Sequence, residues 1–155
     1  MGRICYLPTP VLINRYFGSK ERLFAEVLAK ANEHPIIATQ ETLYSPKRAE
    51  TIARPLVQVT APDATALDGF LIMLRSFSSE RAVEIARDVI EAHHQRNVTT
   101  ALSGNLAPQR AALLLAMVAG VQIMRQMIGL TALSTATDEE LESLLKPLIE
   151  RLMDG

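Results

Sequence analysis

The most constraining feature of this 155-residue chain is an uncharged run of fourteen residues, 111–124, which is apolar on every face of a helix except at Gln122. A helix with one apolar stripe can lie on the surface of a core, but a helix that is apolar all round must be covered on all sides. One chain of this length has difficulty wrapping such a helix, and a second copy is the simplest cover. Because the run is short for a membrane span, we expect no membrane association.

The fold is predicted to be all-α, with about seven helices. No segment alternates polar and apolar residues with period two, and no two-residue hairpin signal is present. Helix starts are indicated by good N-capping residues at Ser78 or Ser79 and at Thr137, where Glu140 completes a capping box. In the helix that follows Ser79 we expect His93 on the inner side, and we expect a break between residues 97 and 105.

The last helix carries leucines along one face and supplies a second apolar seam. The helix that contains residues 111–124 and the last helix, taken from each of two chains, would form an intermolecular four-helix bundle. The residues that we expect at this dimer interface are Leu114, Met117, Val118, Val121, Leu141, Leu145, Leu148 and Leu152. The alternative is a monomer in which 111–124 forms a central core helix.

The front of the chain indicates two short helices joined by a tight turn. Thr9 is a good N-cap, and Pro10 suits the first helical position. Gly18 suits the left-handed position after a helix end, so the first helix should run from about residue 9 to residue 17. Ser19 then caps a second helix, which His34-Pro35 ends at about residue 33.

This segment resembles the end of the helix–turn–helix domain of TetR-family transcriptional regulators. The residues that carry the resemblance are Thr9, Pro10, Tyr16, Phe17, Gly18, Ser19, Lys20, Leu23 and Phe24. The resemblance implies a partial DNA-binding region in residues 1–33, with the recognition helix at about 9–17, and a helical ligand-binding and dimerisation domain in residues 34–155. It further implies a cytoplasmic homodimer, a repressor that leaves its operator DNA when a small ligand binds.

The resemblance also implies which residues contact DNA. Thr9 would bind phosphate at a helix N-terminus, Arg15 would read guanine through its O6 and N7 atoms, and Lys20 would bind the backbone. The full set is Thr9, Pro10, Val11, Asn14, Arg15, Tyr16 and Lys20. The alternative is a plain helix hairpin whose polar side chains are solvated.

Residues 1–8 stand where the family has two further helices that support the recognition helix. We therefore expect weak or no operator binding by the chain as written. A misassigned start, a truncated gene and a genuine short form would each explain the difference. The alternative function is a helical dimerisation or ligand-binding module without direct DNA contact.

An effector pocket is predicted from apolar residues that share helix faces. Its expected lining is Phe70, Met73, Phe77, Ile90, Met117, Val121 and Met124, and its expected ligand is a small apolar or amphipathic molecule. The alternative for each of these residues is ordinary core packing.

Catalytic and metal chemistry are not indicated by the sequence. The chain has one cysteine, Cys5, and no phosphate-binding loop or nucleophile elbow. Adjacent His93 and His94 point about 100° apart on a helix, and the Glu91–His94 pair has no second copy. We expect no enzyme activity, no cofactor and no metal. The net charge of −1 gives no global sign of nucleic-acid binding, although residues 1–50 carry seven basic against five acidic residues.

Overall fold

A computed structural model describes residues 19–31, 37–64 and 68–155, and within these ranges the chain is helical with no β-strand. The fold is therefore all-α, as predicted. The described helices are α1 (Lys20–Ala31), α2 (Gln40–Leu43), α3 (Arg48–Val59), α4 (Asp68–Arg75), α5 (residues 80–101), α6 (Ala107–Met127), α7 (Thr131–Ser134) and α8 (Asp138–Asp154). The predicted recognition helix at 9–17 and the turn at Gly18 lie outside the described residues.

Local hydrogen bonds start several helices where the sequence indicates. The Arg22 amide donates to Oγ of Ser19 at 3.1 Å, at the start of α1. At the start of α5, the Ala82 amide donates to Oγ of Ser79 at 3.3 Å. Each bond supplies a partner to an amide that the first turn of a helix leaves unpaired.

The capping box at the start of α8 has both of its hydrogen bonds. The Glu140 amide donates to Oγ1 of Thr137 at 3.2 Å, and the Thr137 amide donates to Oε2 of Glu140 at 2.9 Å. Thr137→Ala should therefore lower the free energy of unfolding by about 1 kcal/mol, measured by urea denaturation. The exposed control Thr135→Ala should lower it by less than about 0.5 kcal/mol. Equal losses in the two variants would contradict this assignment.

The main core forms where α3 and α8 lie along each other and α6 packs against α8. Its largest fully buried side chains include Leu56 of α3, Leu114 of α6 and Ile149 of α8. The second part of α5 joins this core through Val98. A scaffold of three long helices thus supports the C-terminal part of the chain.

A smaller apolar cluster, which we call the α1 cluster, lies at the other end of α5. Leu28 of α1 packs with Ile85 and Ala86 of α5, and Met73 of α4 packs against them. The described residues of the predicted DNA-binding region therefore pack on residues of the predicted second domain. The division near residue 33 stays a prediction.

Helices α5 and α6 each contain a π-helical turn, which is Ile90–Gln95 in α5 and Gln122–Met127 in α6. The first turn corrects two expectations. The helix continues to Ala101, and the break comes at residues 102–106 rather than at residue 97. His93 is exposed and His94 is half-buried, because the extra residue of a π-turn changes which side chain faces inward.

Candidate functional site

The inner side of helix α6 contains three buried polar residues as well as apolar ones. Arg110, Gln122 and Arg125 are buried there, beside the apolar residues Ala111 and Leu114. Gln122, the single polar residue of the run 111–124, thus lies inside the chain. Polar groups buried in this way are tolerated only when they find hydrogen-bond partners.

The outer side of α6 is apolar and uncovered. Its exposed residues follow one another at helical spacing, as do two exposed leucines on α8. These residues, which we call the exposed apolar face, are Leu113, Ala116, Met124, Met127, Leu144 and Leu148. Leu113 is 58% exposed, Leu144 66% and Leu148 55%. A group of exposed apolar residues of this kind often marks a site of interaction with another molecule.

The predicted dimer-interface residues divide between the core and the surface. Leu114, Leu141 and Leu145 are buried in the main core, where they face other helices of the same chain. Met117, Val118, Val121 and Leu152 are partly buried against that core, and Leu148 is exposed. The side chains next to the buried residues Leu114 and Leu145, at Leu113 and Leu144, are exposed, and the interface itself stays a prediction.

Arg125 holds three elements together at the inner side of α6. Only 3% of its side chain is exposed. Its Nη1 donates to the Val57 carbonyl at the end of α3 at 2.6 Å, and its Nε donates to the Leu133 carbonyl of α7 at 3.1 Å. Its Nη2 lies 3.3 Å from Oδ1 of Asp138, in the first turn of α8. A planar guanidinium can bond several acceptors at fixed angles, which an ammonium cannot do.

Gln126 extends this polar anchor. Its Nε2 donates to the Ala64 carbonyl at 3.0 Å and lies 3.4 Å from the Val59 carbonyl. The π-turn Gln122–Met127 therefore ties the end of α6 to the end of α3 and to the segment that follows it. The sequence analysis identified neither Arg125 nor Gln126, because their partners are carbonyls far away in the sequence.

Among the described residues, the helix Ala107–Met127 has the length and composition of a membrane span, with a mean hydropathy of 1.3. Length and composition also fit the central helix of a protein assembly. Arg110 and Arg125 are bound to carbonyls of the same chain, so one side of this helix packs against protein.

The predicted effector-pocket residues lie in separate groups. Met73 packs in the α1 cluster, whereas Met117 and Val121 pack against the main core. Phe77 and Met124 are exposed, and Phe70 and Ile90 are partly buried. An open groove of about 390 Å³ lies elsewhere, along α5, and its lining residues are Glu91, Gln95, Arg96, Thr99 and Thr100.

His94 lies in the π-turn of α5, near this groove. Burial lowers the pKa of His94 below its usual value of 6.5, and the charge of neighbouring His93 lowers it further. The folded chain therefore binds fewer protons at this position than the unfolded chain does. Within the described residues, no group of three or more His, Cys, Asp or Glu side chains is arranged to hold a metal ion.

The lowered pKa of His94 predicts a loss of stability in acid. The free energy of unfolding should be insensitive to this group above about pH 6.5 and should fall as the pH drops below that value, because protonation favours the unfolded state. Urea denaturation between pH 5 and pH 8 measures the slope. His94→Gln should flatten it, while the exposed control His93→Gln should retain most of it. A slope unchanged in His94→Gln would contradict the assignment.

Of the predicted DNA-contacting residues, Lys20 is described. It is exposed at the first position of α1, where the Ser19 cap begins the helix. Thr9, Pro10, Val11, Asn14, Arg15 and Tyr16 lie outside the described residues. Their roles stay predictions.

The described part of the chain is all-helical and carries exposed apolar residues on α6 and α8. The family model for the tetracyclin repressor-like C-terminal domain matches residues 46–153. The chain therefore belongs to the TetR family, whose C-terminal domains are regulatory rather than catalytic. Curated proteins give no significant match.

Proposed function

We propose that this chain is a homodimeric, ligand-responsive transcriptional repressor that acts in the cytoplasm. The observation that carries the proposal is the exposed apolar face on α6 and α8, within a domain that belongs to a family of transcriptional regulators. Release from DNA by a small apolar or amphipathic effector is proposed from the family alone.

Homodimerisation accounts for the exposed apolar residues of α6. Its inner side carries Arg110, Gln122 and Arg125, and its outer side carries Leu113 and Met124. Pairing this outer side, together with Leu144 and Leu148 of α8, against a second copy would remove it from water. A twofold arrangement uses the same surface on both copies, so one face is sufficient.

DNA binding is proposed to involve the residues before α1 together with Lys20. Arg15 would supply base recognition, and Lys20 would supply a phosphate contact. Selection from a library of random duplexes of about 30 base pairs at low salt tests this, because that length holds two half-sites one helical turn apart. We expect the selected sequences to have twofold symmetry.

Two variants and a control separate the proposed roles of these residues. Arg15→Ala should reduce discrimination between selected and random duplexes at least about tenfold. Lys20→Ala should weaken binding to all duplexes and reduce the salt dependence. The control Lys47→Ala removes an exposed lysine at the start of α3 and should leave binding unchanged. A dimer that selects no sequence at any salt concentration would instead support a module without direct DNA contact.

A further inference from the structure

Helix α5 joins two separately packed parts of the chain. Its first part packs on α1 through Ile85 and Ala86, in the α1 cluster. Its second part enters the main core through Val98 and Leu102. The π-turn Ile90–Gln95 lies between the two parts.

The buried residues on the two sides of this turn do not have the spacing of one face of a regular α-helix. Ala86 is buried in the α1 cluster and Val98, twelve residues later, is buried in the main core. Twelve residues of α-helix would leave these two side chains about 120° apart around the helix. When one residue is taken up as the extra residue of a π-turn, the remaining eleven bring them to within about 20° of each other.

The π-turn accommodates this extra residue. The Arg96 amide donates to the Glu91 carbonyl five residues earlier, instead of to a carbonyl four residues earlier. The inward-facing residues before the turn can thereby pack in the α1 cluster, while those after it pack in the main core. Without the extra residue, one set would rotate relative to the other by about 100°, the turn of one residue in an α-helix.

The turn packs against α6 but contributes no fully buried side chain to either cluster. None of the residues Ile90–Gln95 is fully buried, and the open groove lies along Glu91, Gln95 and Arg96. A lateral contact is made by Gln95, whose Nε2 lies 3.4 Å from the Pro108 carbonyl of α6. The segments on either side are anchored by buried residues. Segments with few buried contacts open at lower free energy than the core does.

We propose that the π-turn Ile90–Gln95 is a hinge that sets the rotation of the α1 cluster relative to the main core and about which the two parts move. Its consequence rests on the proposed function, since α1 follows the predicted recognition helix. Movement at the hinge would then reposition the DNA-reading segment relative to the dimer face. The tests below use no DNA, so failure of the hinge and failure of the proposed function are distinguishable.

Hydrogen exchange on the full wild-type chain is the first test. Amides of residues 92–96 should exchange at least about tenfold faster than those of residues 84–88 and 98–101, because local opening needs no unfolding of either cluster. Equal protection along the whole of residues 80–101 would overturn the proposal.

Deletion of exposed Ala92 is the second test, because it removes the extra residue. Spin labels at Ala29→Cys in α1 and Ser143→Cys in α8, in a Cys5→Ser background, report the distance between the two parts. Dilution with unlabelled chain leaves one labelled copy in each dimer.

We expect the deletion to shift the distribution of distances between the two labels, and we expect an alanine inserted after Arg87 to restore it. An unchanged distance in the deletion variant would overturn the proposal, and if that variant does not fold, hydrogen exchange decides.

Discussion

Replacing Leu144 and Leu148 together with glutamate is expected to raise the dimer dissociation constant at least about a thousandfold. Each dimer would lose four leucines from its interface, and burial of one leucine contributes about 1.5–3 kcal/mol. The four new carboxylates would also have to leave water next to one another. Sedimentation velocity over a range of micromolar concentrations measures the change, and circular dichroism confirms that the helices persist.

A matched control for this pair is Ile72→Glu. Ile72 is an exposed apolar residue of α4, which packs in the α1 cluster and not on α6 or α8. Its replacement should leave the dissociation constant within about threefold of wild type, because surface substitutions away from the interface change free energies by about 0.5 kcal/mol or less. If Ile72→Glu dissociates the dimer and the leucine pair does not, the interface lies elsewhere.

Replacing Arg125 with methionine should lower the free energy of unfolding by about 3 kcal/mol. The Val57 and Leu133 carbonyls would lose their guanidinium donor, and each buried acceptor without a partner costs about 1–3 kcal/mol. Methionine fills part of the volume but donates no hydrogen bond. Urea denaturation at one fixed protein concentration measures the loss, because the stability of a dimer depends on concentration.

Two further substitutions make the Arg125 result specific. Arg125→Lys keeps the charge but loses the planar fork, so its loss should be intermediate. Arg87→Met changes an exposed arginine of α5 and should alter stability by less than about 0.5 kcal/mol. A loss at Arg125 no larger than the loss at Arg87 would show that the guanidinium does not anchor α3, α7 and α8.

The helix starts could be predicted because their determinants are local. Oγ of Ser79 and Oγ1 of Thr137 accept hydrogen bonds from amides three residues later, so a short window of sequence contains both partners. The all-α class followed from the same kind of evidence. The π-turn of α5 could not be predicted, because the sequence does not show that Ala86 and Val98, twelve residues apart, are both buried.

The side of α6 that faces the core could not be predicted. Residues 111–124 are apolar all round, so periodicity offers no polar side as a reference, and Leu113 and Leu114 are equivalent in the pattern. In the structure, Arg125 lies on the inner side of α6 and donates to the Val57 and Leu133 carbonyls. The sequence does not indicate this, because an arginine at the end of an apolar run is usually exposed. The same ambiguity explains why Leu145, which is buried, was predicted at the interface, whereas its neighbour Leu144, which is 66% exposed, was not.

Sedimentation equilibrium of the unmodified full chain tests the central claim most directly, because we propose that a second copy covers the exposed apolar face of α6 and α8. The chain has a mass of 17.1 kDa. The account predicts a single species with the mass of two chains at micromolar concentration. A species with the mass of one chain, stable and helical at the same concentrations, would contradict it.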